Sequence, residues 1–163
     1  MSSMVWQAPG FLPARPARPI LAGTVTANGV IASKLDLLAT YRERLRALVP
    51  SSLTDLQANW ERQKAVERIL QVMIEIVIDV ADRLVSLKGR PPAPTAALSL
   101  SRLQEVGVIA NAERYHPLVR FRNFIVHRYE DVDLSIVYGI LTRHLDDFQE
   151  FDREVRAYTA GDL

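Results

Sequence analysis

The apolar segment Val66–Leu84, with the sequence VERILQVMIEIVIDVADRL, decides the fold. Its apolar residues recur at spacings of three and four, which predicts a long helix that begins after a capping box at Ser52 and Asp55 and ends at Lys88-Gly89. The inner face comprises Val66, Ile69, Leu70, Met73, Val77, Val80, Ala81 and Leu84. Other faces are apolar through Val72, Ile74, Ile76, Ile78 and Val85. We therefore expect burial from two sides, in a central position or in a subunit interface.

A line of polar residues crosses this apolar helix. Gln71, Glu75 and Asp79 are four residues apart, so they share one side of it. Because a buried carboxylate is costly without a partner, we expect Glu75 and Asp79 to meet an arginine or histidine from another element.

Four further helical segments surround this one. Pro50 and Gly107 end the first two, and Pro117 fits the first turn of the third. The segments are 30–49, 96–106, 111–128 and a final helix that runs from an N-cap at Asp133 to Val155. The sequence contains no strand alternation, so it predicts an all-α fold. We expect an up-and-down bundle of about four to five helices over residues 29–160.

Residues 1–28 differ in composition from the rest of the chain. Four prolines interrupt this stretch, at Pro9, Pro13, Pro16 and Pro19, and no acidic residue precedes Asp36. Such a composition is typical of an extended, poorly ordered arm and does not provide the apolar core of a secretory signal. The arm is either inert or a contact for RNA.

The overall composition bounds the function. A chain of 163 residues with 48% hydrophobic and 24% charged residues is expected to fold as one soluble, cytoplasmic domain without a membrane span. It has no cysteine, and its three histidines are scattered, so we expect neither a metal site nor a cofactor. Arginine outnumbers lysine by 17 to 3. That bias reflects either codon preference or the suitability of the guanidinium for phosphate.

The stretch Arg122–Asp133 is where polar groups of catalytic type lie within an apolar segment. Arg120, Asn123 and His127 are spaced by three and four, which predicts one shared side of a helix. Asn123 can then hydrogen-bond the imidazole and fix its tautomer. With 3.6 residues per turn, Arg122 lies about 140° from His127 around the helix axis. Either the helix loosens near His127, or Arg122 completes a site across a subunit boundary.

Histidine and arginine together suit metal-free RNA cleavage. Attack by the 2′-hydroxyl needs a base, an acid and a cation for the charged phosphorane. A two-fold dimer that joins two copies of Arg122 and His127 would supply the whole set, and it would cover the second face of the long helix. On spacing alone, a structural histidine is the more common outcome.

The same stretch resembles the signature of the HepT-like members of the HEPN superfamily, in the pattern Arg122-Asn123-x-x-Val126-His127-x-Tyr129-Glu130-x-Val132-Asp133. These proteins are the toxin halves of HepT/MntA toxin–antitoxin pairs, of type VII. The resemblance runs from about Val30 to Tyr158 and leaves out the arm. It implies an all-α bundle that dimerises and acts as a metal-independent ribonuclease through an Arg-x4-6-His motif.

The resemblance also assigns roles. Arg122 matches the motif arginine, His127 its histidine and Asn123 the polar residue after the arginine. Tyr129 matches the tyrosine to which a MntA-like nucleotidyltransferase antitoxin transfers AMP from ATP. Added phosphates there would repel an RNA phosphate, because Tyr129 is two residues from His127. Supporting residues under this reading are Arg120, Glu75 and Asp79.

Two other functions stay open. One is a non-catalytic HEPN-like interaction module that binds a nucleotide or a nucleotidyltransferase. The other is a purely structural helical protein. RNA cleavage that is lost when Arg122 or His127 is substituted would favour the nuclease over both of these alternatives.

Overall fold

Helices form nearly all of the part of the chain that the structure describes. The structure, a computed structural model, describes residues 27–127 and 132–162, and only the backbone of Ala27, Val126, His127 and Asp162. The elements are α1 Ala27–Arg46, α2 Leu53–Gln57, α3 Trp60–Leu87, α4 Ala96–Glu105, a 3-10 turn Ala112–Tyr115, α5 His116–His127, α6 Leu134–Arg143 and α7 Leu145–Asp162. No strand occurs within these ranges, which confirms the all-α prediction. The predicted arm, up to residue 26, lies outside them.

Helix α3 is the centre of the bundle. Asn59 caps its start by accepting a hydrogen bond from the Arg62 backbone N–H at 2.9 Å, and Gly89 follows its end with φ +69°. Helices α1, α2, α4, α5 and α7 all pack against it. Its buried residues are Val66, Leu70, Met73, Ile74, Ile76, Val77, Val80, Ala81, Leu84 and Val85. Burial from more than one side is therefore confirmed. The cover comes from helices of the same chain, so the second apolar face does not require a dimer.

The capping box at Ser52 belongs to a short helix and not to the long one. The Ser52 hydroxyl oxygen accepts the Asp55 backbone N–H at 3.1 Å, which starts α2. Five residues later α2 ends, and the extended backbone of Asn59 (φ −128°, ψ 95°) separates it from α3. The expected single helix after Ser52 is thus two helices, because Asn59 caps a helix of its own.

The two predicted helices of the C-terminal half are also divided. The Asn111 side chain accepts the Glu113 backbone N–H at 3.0 Å and starts the 3-10 turn, after which α5 begins with Pro117 in its first turn. Asp133 caps α6 as predicted, through the Ser135 N–H at 2.9 Å. That helix ends at Arg143, and His144 turns the chain into α7. The described residues therefore hold seven α-helices, against the four to five expected.

An aromatic pair joins the 3-10 turn to α7. Tyr115, directly before α5, packs edge-on against Phe151 of α7 with ring centroids 5.5 Å apart. Its hydroxyl donates to Glu154, which also accepts the Ala110 backbone N–H at 2.8 Å. Burial, and then the hydrogen bond to Glu154, raise the pKa of Tyr115. None of the helices in the described ranges has the length and apolarity needed to cross a membrane.

Candidate active site beside helix α5

Two clefts flank α5. The first, here called the motif cleft, has a volume of about 530 Å³ and lies between α3, the start of α4 and α5. Its walls are Ile78, Asp82, Ala93, Pro94, Thr95, Ala96, Ala97, Val119, Arg122 and Asn123. The second, here called the arginine cleft, has a volume of about 440 Å³ and lies between α5 and α6. Its walls are Pro117, Arg120, Phe121, Phe124, Ser135, Ile136, Gly139, Ile140, Arg143 and His144.

Arg122 and Asn123 face the motif cleft together. Asn123 is exposed, whereas Arg122 is half-buried and its Nε is fully shielded from solvent. That Nε has no hydrogen-bond partner among the described residues. A shielded guanidinium N–H without an acceptor carries a desolvation cost, which an anionic ligand in the cleft would relieve. The cleft is therefore suited to a phosphate.

Asp82 also lines the motif cleft, and a buried hydroxyl holds its carboxylate. Asp82 of α3 accepts a short hydrogen bond from the hydroxyl of Ser99, which is fully buried in α4. Thr95 caps the same helix by accepting the Leu98 backbone N–H at 3.2 Å. Neither Asp82 nor Ser99 was among the site residues predicted from the sequence. The available signal was that Asp82 follows Asp79 by three residues and so continues the acidic line of α3.

Glu75 and Asp79 have partners other than the motif arginine. The Gln71 side-chain amide donates to Glu75 at 3.0 Å, and the Lys34 ammonium of α1 binds Asp79 at 2.8 Å. The Asp79 side chain is 61% exposed, because it lies at the surface between α1 and α3. Neither carboxylate bonds an arginine or histidine within the described ranges, so the expected partners are corrected to Gln71 and Lys34.

Arg120 is separated from Asn123, contrary to the expectation that they share a side. Asn123 lines the motif cleft and Arg120 lines the arginine cleft, because α5 projects between the two. His127 ends α5, and only its backbone is described. By the 3.6-residue period its Cα direction lies about 20° from that of Arg120 and about 40° from that of Asn123. The hydrogen bond from Asn123 to His127 stays a prediction, and Tyr129 lies outside the described residues.

The arginine cleft carries exposed cations. The guanidinium of Arg143 lies over Gly139. A Cβ added to Gly139 would be 2.6 Å from Nη2 of Arg143. Arg120 and Arg143 are both exposed, and neither forms an ion pair in the described part of the chain. His144 differs, since its Nδ1 lies 2.8 Å from a carboxylate oxygen of Asp147.

The motif cleft thus provides a shielded guanidinium and an amide, and the arginine cleft provides two guanidinium groups that form no ion pair with the described residues. His127 ends the helix that separates them. Phosphate binding and proton transfer are within the chemistry of such a set. No group of three or more histidine or acidic side chains is arranged to hold a metal ion in residues 28–125 and 132–161.

Known proteins resemble this chain over most of its length. Residues 38–155 match the family model HepT-like, described as ribonuclease HepT-like. The tRNA nuclease HepT of Aphanizomenon flos-aquae is 25% identical over 131 residues, which cover 79% of this chain and 89% of that protein. The mRNA nuclease HepT of Shewanella oneidensis is 23% identical over 132 residues, which cover 80% of this chain and 98% of that protein.

A solved structure shares the fold. The tri-AMPylated Shewanella oneidensis HEPN toxin in complex with MNT antitoxin superposes with a TM-score of 0.71 at 22% sequence identity. The match covers 78% of this chain and 97% of that one. The predicted HEPN-like bundle is therefore confirmed.

Proposed function

Because the chain belongs to the ribonuclease HepT-like family, we propose that it is an endoribonuclease that cleaves RNA through Arg122 and His127. The observation that carries the proposal is Arg122, which lines the motif cleft five residues before His127 on the same helix and whose shielded Nε has no hydrogen-bond partner among the described residues. The negative charge of a phosphodiester in the cleft would compensate the desolvated guanidinium, which would in turn offset the charge that grows on the phosphorane.

His127 provides the proton transfer in this proposal. It takes the proton of the 2′-hydroxyl as that oxygen attacks phosphorus, or gives one to the departing 5′-oxygen. Asn123 fixes the tautomer of the imidazole from one turn away. The reaction needs no metal, since Arg122 serves as the cation at the phosphate.

A homodimer completes the site. Arg122 lies about 140° around α5 from His127, so one helix does not aim both groups at a single phosphate. A two-fold axis near the end of α5 would bring the histidine of one subunit to the arginine of the other. Because α3 is covered within one chain, the dimer is proposed for the chemistry and not for the core.

Regulation follows from the position of Tyr129. The similar Shewanella oneidensis toxin is AMPylated and bound to an antitoxin. We propose that a nucleotidyltransferase antitoxin transfers AMP to Tyr129 of this chain. The added phosphates, two residues beyond His127, would repel the RNA phosphate and silence the nuclease.

Cleavage of RNA by the purified protein in EDTA tests the nuclease. His127→Ala and Arg122→Ala should each lower the rate about 10²–10³-fold or more while the helical circular dichroism spectrum is kept. Arg44→Ala is the matched control, because this exposed arginine of α1 lies over Tyr41 and forms no ion pair in the described part of the chain. A wild-type protein that cuts no RNA under any condition would leave the interaction module as the function.

Co-expression with a nucleotidyltransferase tests the modification. The intact mass should rise in steps of one AMP in the wild type and in Tyr138→Phe, which changes a half-buried tyrosine of α6. The steps should be absent in Tyr129→Phe. A mass shift that survives Tyr129→Phe would move the acceptor to another residue.

A further inference from the structure

The arginine cleft has no part in the proposed reaction, yet it lies beside the same helix. We propose that it binds the single-stranded RNA segment next to the cleaved phosphate, with Arg120 and Arg143 on its phosphates and the apolar wall against a base. The proposal rests on the proposed function for the identity of the strand, and on the geometry of α5 and α6 for its path.

The charge of the cleft favours an anionic strand. Arg120 comes from α5 and Arg143 from α6, and both are exposed without an ion pair in the described ranges. None of the described residues that line the cleft is acidic. The nearby carboxylates already have donors, since Asp147 binds Arg114 at 2.6 Å and Asp133 accepts from Ser135 at 2.9 Å and 2.6 Å. The two guanidinium groups thus remain available for a ligand.

The position of the cleft connects it to the predicted active site. Arg120 precedes His127 by seven residues and lies within about 20° of the same line along α5. Seven residues of helix span about 10.5 Å, the rise of about three stacked nucleotides. An RNA strand that places a phosphate at His127 would therefore reach Arg120 within about three nucleotides.

The walls of the cleft suit an unpaired base. Phe124 of α5, which is half-buried, and Ile136 of α6, which is 39% exposed, form an apolar side, whereas Phe121 is buried in the core. A cleft of about 440 Å³ is large enough for one base or nucleotide and too small for a duplex. Aromatic surface combined with arginine is the arrangement that single-stranded RNA uses, through stacking and backbone contacts. An acidic protein segment would use the arginines alone.

Binding of a single-stranded RNA oligonucleotide tests the proposal. The measurement uses the full chain with His127→Ala, so that the RNA is not cut, and follows affinity by fluorescence anisotropy across a salt series. Arg120→Ala and Arg143→Ala should each weaken binding about tenfold, and each should lower the slope of log affinity against log salt by about 0.7. Arg44→Ala removes the same charge from α1 and should change the affinity less than twofold.

The outcomes separate this proposal from the nuclease. If wild-type protein cuts RNA but both cleft variants bind the oligonucleotide like the control, the cleft proposal is overturned and the nuclease stands. If wild type cuts nothing while binding still depends on Arg120 and Arg143, the nuclease falls and the cleft stands. Binding of a nucleotidyltransferase antitoxin is measured in parallel. Loss of that binding alone, with RNA affinity kept, would assign the cleft to the protein partner and overturn the proposal.

Discussion

The motif cleft and the arginine cleft hold their cations in opposite ways. In the motif cleft, Arg122 is half-buried, and Asp82 in the same cleft accepts a hydrogen bond from the buried hydroxyl of Ser99. In the arginine cleft, Arg120 and Arg143 are exposed and no carboxylate lines the wall among the described residues. A group fixed by its surroundings can position a reacting phosphate, whereas exposed flexible cations can follow a strand. The difference suggests chemistry on one side of α5 and substrate binding on the other.

The largest expected contrast lies in the kinetics of two arginine variants only two residues apart. Arg122→Ala should lower kcat by about 10²–10³, because the charge of the phosphorane loses its cation. Arg120→Ala should raise KM about tenfold and leave kcat nearly unchanged, because it removes a contact that is equally strong in the bound substrate and in the transition state. Steady-state cleavage of one oligonucleotide measures both. If the two variants divide their losses between kcat and KM in the same way, the assignment of separate roles fails.

A smaller effect concerns the wall of the motif cleft. Ser99→Ala should lower the free energy of unfolding by about 1 kcal/mol, below the roughly 1.5–3 kcal/mol of a buried hydrogen bond to a charged group, because water can reach Asp82. The matched control is Ser101→Ala on the same helix, whose hydroxyl donates only to the Ala97 carbonyl at 3.1 Å. That change should be nearly neutral, since such bonds to the preceding turn add little to a helix. Urea unfolding compares them, and equal losses would show that the Ser99 bond does not brace the cleft.

The smallest effect is expected from a substitution that moves the Arg143 guanidinium without removing its charge. Gly139→Ala adds a Cβ within 2.6 Å of Arg143 Nη2, so the guanidinium must move while the charge stays. RNA affinity should fall about threefold, less than in Arg143→Ala, with little change in salt dependence. The stability of the protein should hold or rise by up to about 0.5–1 kcal/mol, because alanine favours a helix over glycine. An unchanged affinity would show that the position of Arg143 over Gly139 is not needed.

Much of the fold could be predicted because its signals are local. Asp133 caps α6, Gly89 and Gly107 take positive φ at the ends of α3 and α4, and the apolar period marks the faces of α3. The divisions at Asn59 and His144 could not be predicted in the same way. Leu141 and Leu145 keep the helical period across His144, so apolar spacing alone continues the helix through the break.

The candidate site was predictable only in part. The helical period gives the angle between Arg122 and His127, but it did not give the division of α5 between the clefts, because Asn123 lines the motif cleft with Arg122 and Arg120 lines the arginine cleft. The pairing of Asp82 with Ser99 could not be predicted from the sequence. These residues are 17 positions apart on different helices, and no period gives the orientation of one helix relative to another.

The cover of α3 by its own chain has a thermodynamic consequence. Since α1, α2, α4, α5 and α7 bury it within one molecule, folding and association are separate equilibria. The thermal midpoint should then depend little on protein concentration, and the two subunits of the proposed homodimer would part and exchange without unfolding. With the proposed modification of Tyr129, a silenced and an active copy of the chain would in that way form mixed dimers, and the fraction of modified chains would set the activity of the whole population.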